Sequence, residues 1–292
     1  MSGASAPSPL AWGDVRPRFS TRCFDAIRIC LEALNQAKWP SLEAINQVAI
    51  SRGLANYRNM PLRFIAPSSD ADSLAAVAIH YERRIAEFGE IATRENWHDF
   101  FNTLQWLTFP QSKAAISEMH TRLLSAHASE AQARSIPRDV LTLFDEGGVI
   151  VASTDALLLE LIQNFQWRAL FVERRDEVIK HMHFYLVGHS VLEKMLDPYI
   201  GITAKAVLFE VDATFAAKPA AAQIIELDAR ARDWLLAPEN LASTRNLHPL
   251  PILGIPGWDA RNETADFYDN AHYFRSGRHK DRSAGRDRDR DR

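Results

Sequence analysis

At 292 residues, with 47% hydrophobic and 24% charged side chains, the chain has the proportions of a soluble globular protein. Its apolar runs, such as Val149–Ala152 and Ala204–Phe209, fall far short of the roughly 20 residues a membrane span needs, so no membrane partner is expected. The formal charge of −3 is uneven: residues 275–292 hold eight Lys/Arg and four Asp, net +4, leaving −7 on residues 1–274, which argues against a broad nucleic-acid surface.

In chain order, residues 1–19 are expected to be a disordered N-terminal segment, with no secretory leader and hence a cytoplasmic location. Two cysteines seven positions apart, Cys23 and Cys30, lack zinc-ligand spacing and are expected to be buried free thiols. Phe24, Ile27, Cys30, Leu31 and Leu34 predict an amphipathic helix stopped at Trp39-Pro40, and Ser41 opens a second. Phe64-Ile65-Ala66-Pro67 predicts a short strand, and Ser73 a cap for a long helix through Phe88. Helices follow at Trp97–Phe109 and Ser112–Ala128, the second carrying His120 and His127 as surface histidines.

Beyond Pro137 the texture becomes β-rich. Val140–Phe144 and Val149–Ala152, separated by Asp145-Glu146-Gly147-Gly148, predict a hairpin. Strands are predicted at Trp167–Val172, His183–Val187 and Ala204–Val211, and helices at Ala156–Asn164, Gly188–Leu196 and Pro219–Leu236. Leu247–Trp258 is a Pro- and Gly-rich wrap, and Asn262–Phe274 is aromatic enough to dock on the core. These elements predict an α+β fold: a helical N-terminal half packed on one small mixed sheet with crossover helices. A single domain over residues 20–274 is expected, with residues 275–292 a disordered mixed-charge tail.

The chemistry points to two helices. In the first, Trp97, Phe101, Leu104 and Thr108 form an apolar line. His98, Asn102 and Trp106 form a second line, with Asp99 and Gln105 beside it. Neither Lys nor Glu occurs between Asn96 and Pro110, so this polar side does not read as plain surface. In the second, His189 and Glu193 stand at i, i+4, with His189 in the first turn, where the helix dipole favours a neutral ring. Arg138 and Lys205 could supply anion-binding charge, whereas Asp145-Glu146 read as turn residues. A glycine-rich phosphate loop, a G-x-S-x-G elbow and a Cys–His pairing are all missing.

The reading that follows is a hydrolase or group-transfer enzyme acting on a small or phosphorylated molecule. His98, Asp99, His189 and Glu193 are its catalytic candidates, and Asn102, Trp106, Arg138 and Lys205 its substrate contacts. A divalent metal is a candidate cofactor without a fixed ligand set. The competing reading is a non-catalytic protein that binds a ligand or partner, with His98 and Asp99 in a structural polar network. An RNA-associated role rests on the Arg/Asp tail alone.

Several blocks together resemble the uncharacterised proteobacterial family known as domain of unknown function 3025. They are Trp97–Asn102 through Trp106 and Phe109-Pro110, Arg138–Glu146, Gly188-His189 with Glu193-Lys194, Gly201–Lys205, and Pro256-Gly257-Trp258. The resemblance runs from about residue 20 to about residue 275. It implies no activity. It does imply that His98, Asp99, Asn102, His189, Glu193 and Lys205 belong to one constellation.

Overall fold

The computed structural model describes residues 10–34, 38–67, 74–126 and 135–277. The Ser73 cap, His127 and most of the Arg/Asp tail lie outside the described residues.

The chain enters through helix α1 (Trp12–Val15), two 3₁₀ turns (Arg16–Ser20 and Arg22–Ile27) and α2 (Arg28–Ala33). Residues 10–19 were expected to be unstructured, yet Val15 and Phe19 are buried and Trp12 stacks on Trp97, with ring centroids 5.5 Å apart. Aromatic docking therefore orders a stretch whose local composition favours disorder. Cys23 and Cys30 are free and buried. Helix α3 (Leu42–Ser51) is capped by the Ser41 hydroxyl, which accepts from the Ala44 amide. Strand β1 (Arg63–Ile65), helix α4 (Leu74–Phe88) and strand β2 (Glu90–Ala92) form a β-α-β unit whose two strands pair in parallel.

Three helices come next: α5 (Trp97–Thr108), α6 (Pro110–Ala126) and α7 (Ile136–Gly147). The last corrects the expected hairpin. Val140, Leu141 and Phe144 are all fully buried, and their i, i+1, i+4 spacing is that of one helix face; Pro137 starts the helix and Gly147-Gly148 end it. Strand β3 (Gly148–Ser153) leads to α8 (Ala156–Gln163), capped by Asp155. At Trp167–Val172 the expected strand is instead helical, with a π-helical turn over Ala169–Glu173. Trp167, Leu170 and Phe171 are buried at i, i+3, i+4. Helix α9 (Arg175–His181), strand β4 (Met182–Leu186), helix α10 (His189–Lys194), strand β5 (Thr203–Glu210), helices α11 (Ala220–Leu236) and α12 (Pro238–Leu241), and strand β6 (His248–Pro251) complete the order.

The main sheet is mixed and four-stranded, in the order β4-β3-β5-β6; β3 and β5 are parallel and the two outer pairings antiparallel. β6 was missed because Pro249 and Pro251 argue against a central strand; at the edge of a sheet a missing N–H costs little. β3 is buried along its whole length. Val149 and Val151 face a core shared with α5 and the C-terminal aromatic segment, and Ile150 and Ala152 face one shared with α6, α7 and α11. The result is an α+β fold in which helices of the N-terminal half cover both faces of a small mixed sheet. Among the described residues no helix is long and apolar enough to cross a membrane.

Candidate functional site

Three helix ends meet where β3 begins and β4 finishes. The first turn of α10 follows β4 directly, and α10 packs on both α5 and α7. The amides of Val187 and Gly188 donate to the Gly148 carbonyl at 2.9 and 2.8 Å, fixing the start of α10 against the end of α7. A Cβ at Gly188 would lie 2.5 Å from both Gly147 Cα and Gly148 N, so only glycine allows this approach. Gln105 of α5 donates through Nε2 to the Leu186 carbonyl at 3.3 Å, tying α5 to the same strand end.

This convergence brings His98 and His189 together. Their Nε2 atoms are 3.1 Å apart and the rings meet edge to face at 75°. His98 Nδ1 faces Glu193 Oε2 at 3.3 Å. His189 Nδ1 faces Asp145 Oδ2 at 3.8 Å, and its Nε2 lies 3.6 Å from Glu146 Oε1. His189 is 4% exposed and its Nδ1 has no hydrogen-bond partner. The side chains of His98 and Glu146 are 35% and 45% exposed, so the cluster opens to solvent on one side only.

The two imidazoles are driven apart electrostatically. The Glu193 carboxylate holds His98 above the ordinary imidazole pKa, against the effect of burial and with help from Glu146. Burial pushes His189 below it, despite the nearby Asp145 carboxylate. Burial, not the helix dipole, is the main cause for His189. At 3.1 Å one of the two Nε2 atoms donates and the other accepts, and which does so depends on the tautomer of each ring.

Behind His189 runs a second layer of polar groups. Lys113 of α6 is 3% exposed; its Nζ donates to Asp145 Oδ1 at 2.5 Å and Asn102 Oδ1 at 2.8 Å, and sits 5.5 Å from the Trp106 ring centroid. Asn102 Nδ2 in turn donates to the Tyr81 hydroxyl at 3.0 Å. Burial raises the Tyr81 pKa, so its hydroxyl stays protonated. Burial alone would also raise Asp145, but the Lys113 ammonium and then His189 outweigh it and leave this carboxyl below its ordinary range. His120, expected at the surface, is half-buried beside the same charges, and burial lowers its pKa.

The structure thus gathers His98, His189 and Glu193 at one point, with Asn102 and Trp106 one layer further in. Glu193 serves His98 rather than its i−4 neighbour His189. Asp99 is not in this group: it accepts from the Arg94 backbone amide at 2.8 Å and from Arg94 Nε at 2.9 Å, ordering the entry to α5. Among the described residues Arg138 and Lys205 make no hydrogen bond or ion pair with the cluster; Lys205 stands on β5 in register with Gly148. Three participants escape the sequence reading. Asp145 and Glu146 were assigned to a turn, although a helix ending at Gly147 places both on its last turn, facing α10. Lys113 carries no local signal, because its partners arrive from other helices.

One ligand atom from each of His98, His189 and Glu146 lies within 4.8 Å of the other two, with Glu146 Oε1 3.6 Å from His189 Nε2. Two nitrogens bound to one tetrahedral zinc at about 2.0–2.1 Å are separated by about 3.3 Å. The observed 3.1 Å is close to that spacing. Both outer Nδ1 atoms point at carboxylates, the arrangement that orients metal-bound histidines. Chemically the site can hold one divalent cation on two nitrogens and one oxygen, leaving positions for water and substrate.

Searches of curated proteins and of solved structures return no match to the chain. About three quarters of the sequence, including every residue of the cluster, does match one established family. Over residues 62–278 the chain belongs to the family described as "Protein of unknown function (DUF3025)".

Proposed function

We propose that the protein is a divalent-metal-dependent hydrolase or group-transfer enzyme acting on a small ester or phosphoester. The observation that carries this reading is the paired Nε2 atoms of His98 and His189, 3.1 Å apart with a carboxylate behind each ring. An ion seated there replaces the proton the two rings otherwise share. Glu146, on the open side, completes three protein ligands. Two His and one Glu with open positions is the donor set of hydrolytic zinc sites. Such an ion would lower the pKa of bound water to about 7 and polarise a scissile carbonyl or phosphoryl group. Glu193, held against His98 Nδ1 at 3.3 Å, is the carboxylate that would orient this ring toward the ion.

The test is metal analysis of the purified protein alongside hydrolysis of chromogenic phosphate and carboxylate esters. One divalent ion per chain, lost in both His98→Ala and His189→Ala together with the turnover, is the expected result. If these variants unfold while the wild type neither carries nor binds a divalent ion, the imidazoles are structural and the proposal fails.

A further inference from the structure

We propose that Lys113 is a positioning residue for the His98–His189–Glu146 ion site, acting on the metal through Asp145. This inference rests on the metal reading above and deepens it.

The geometry is a chain of three links: Lys113 Nζ to Asp145 Oδ1 at 2.5 Å, Asp145 Oδ2 to His189 Nδ1 at 3.8 Å, and His189 Nε2 into the ion site. A lysine 3% exposed is rare in a soluble fold and is retained only where its charge has partners. Here the partners are Asp145, the Asn102 carbonyl oxygen at 2.8 Å and the Trp106 ring. Asn102 is itself fixed by its bond to Tyr81. Both oxygens of Asp145 are thereby assigned: one to the ammonium, the other to the imidazole.

Of the three linked side chains Lys113, Asp145 and His189, the last has a buried polar atom, Nδ1, without a hydrogen-bond partner. A separation of 3.8 Å is too long for a hydrogen bond, and active-site bonds that are long in the unliganded state tighten when the ligand seats. With an ion held at Nε2, the ring hydrogen of His189 would reside on Nδ1, where Asp145 Oδ2 is the acceptor that would orient the ring. Lys113 keeps that acceptor charged and stationary. A positioning role of this kind fixes the ring orientation without any contact between Lys113 and the ion.

The experiment is Zn²⁺ affinity, measured by competition with a chromophoric chelator on the full chain, with thermal unfolding recorded in parallel. Lys113→Met keeps the aliphatic stem against Trp106 and removes the charge; Asp145→Asn removes the acceptor's charge. Each variant is expected to weaken zinc binding by roughly 10–100-fold, the size of an outer-sphere effect. The double variant is expected to be no weaker than the weaker single, because both act along one chain. It also restores charge balance, so it reports even if Lys113→Met alone does not fold. Wild-type zinc affinity in the double variant overturns the proposal while leaving the metal site standing. Losses that multiply in the double variant also overturn it, since Lys113 and Asp145 would then act separately. A wild type that binds no zinc overturns both readings.

Discussion

His98 and His189 are 91 residues apart in the chain and 3.1 Å apart at their Nε2 atoms. Two ring nitrogens at that distance need either a shared hydrogen or a shared ion between them. The surroundings provide for both. Glu193 raises the pKa of His98, burial lowers that of His189, and Glu146 stands 3.6 Å from His189 Nε2, on the side where a cation would sit.

Glu146 and Glu193 therefore have separable roles. Glu146 has an oxygen within ligand reach of both imidazoles, whereas Glu193 meets His98 on the nitrogen facing away from the ion. Glu146→Gln is expected to reduce zinc affinity beyond the roughly 10–100-fold that an outer-sphere partner is worth, and Glu193→Gln to stay inside that range. Chelator competition on the two variants checks the order. The reverse ranking would move the ligand assignment to Glu193.

Gly188 controls how closely α10 approaches α7. A methyl group there meets the backbone of Gly147 and Gly148 at 2.5 Å, and backbone cannot rotate aside as a side chain can. Gly188→Ala is expected to cost about 1–3 kcal/mol, the usual penalty of overpacking, and to displace His189 from Glu146. Urea denaturation measures the first effect and zinc titration the second. Full stability with unchanged zinc affinity would show that the α7–α10 junction yields freely.

Much of the scaffold is legible in the sequence wherever burial and periodicity agree. Trp97, Phe101, Leu104 and Thr108 mark the inner face of α5, and all four are buried. Ala204–Val211 reads as a strand because both its faces are covered. The reading breaks where a short apolar run satisfies both periods: Val140-Leu141-Thr142-Leu143-Phe144 is β-rich in composition but helical in spacing. That one error hid Asp145 and Glu146 behind turn chemistry and so removed an acidic wall from the expected site. His98 was visible because its helix lacked ordinary surface charge, and His189 with Glu193 because their i, i+4 spacing places both on one face. Lys113 could not be found this way, since what marks it is burial, and burial is a property of the assembled helices.

Glu90 ties the β1–β2 pair to α4 and gives the acid limb of stability a definite sign. Hydrogen bonds from Arg84, then Arg63, hold its carboxyl below the ordinary glutamate pKa, against the smaller effect of burial. A depressed folded-state pKa contributes stability that is fully present above the unfolded value and is lost as pH falls through the folded one. Glu90→Gln is expected to flatten the stability profile within that window and leave its slope unchanged above it. The contribution is modest because Arg63 is 66% exposed and screened by solvent. Chemical denaturation at a series of acidic pH values makes the comparison; parallel wild-type and Glu90→Gln profiles would show that the Arg84–Glu90–Arg63 bridge is not formed in solution.

Asp228 stabilises a helix to which it does not belong. α6 follows α5 with only Phe109 between them, and phenylalanine offers no side-chain acceptor for the first amides of a helix. From α11, Asp228 supplies it. Its Oδ2 accepts from the Gln111 amide at 2.9 Å, and its Oδ1 accepts from the Ser112 amide at 2.8 Å and the Ser112 hydroxyl at 2.6 Å. The residue is 2% exposed, so water cannot readily replace what a substitution removes. Asp228→Ala is expected to cost about 2–3 kcal/mol, combining a lost cap with buried donors left unpaired. Asp228→Asn should fall between, since its amide oxygen can serve Ser112 while its NH₂ group opposes the Gln111 N–H. Because α6 carries Lys113 on its first turn, the two losses should also appear, in the same order, in zinc affinity. If urea denaturation finds both variants within about 0.5 kcal/mol of wild type, as for ordinary surface changes, α6 is capped by other means and the coupling between α11 and Lys113 falls with it.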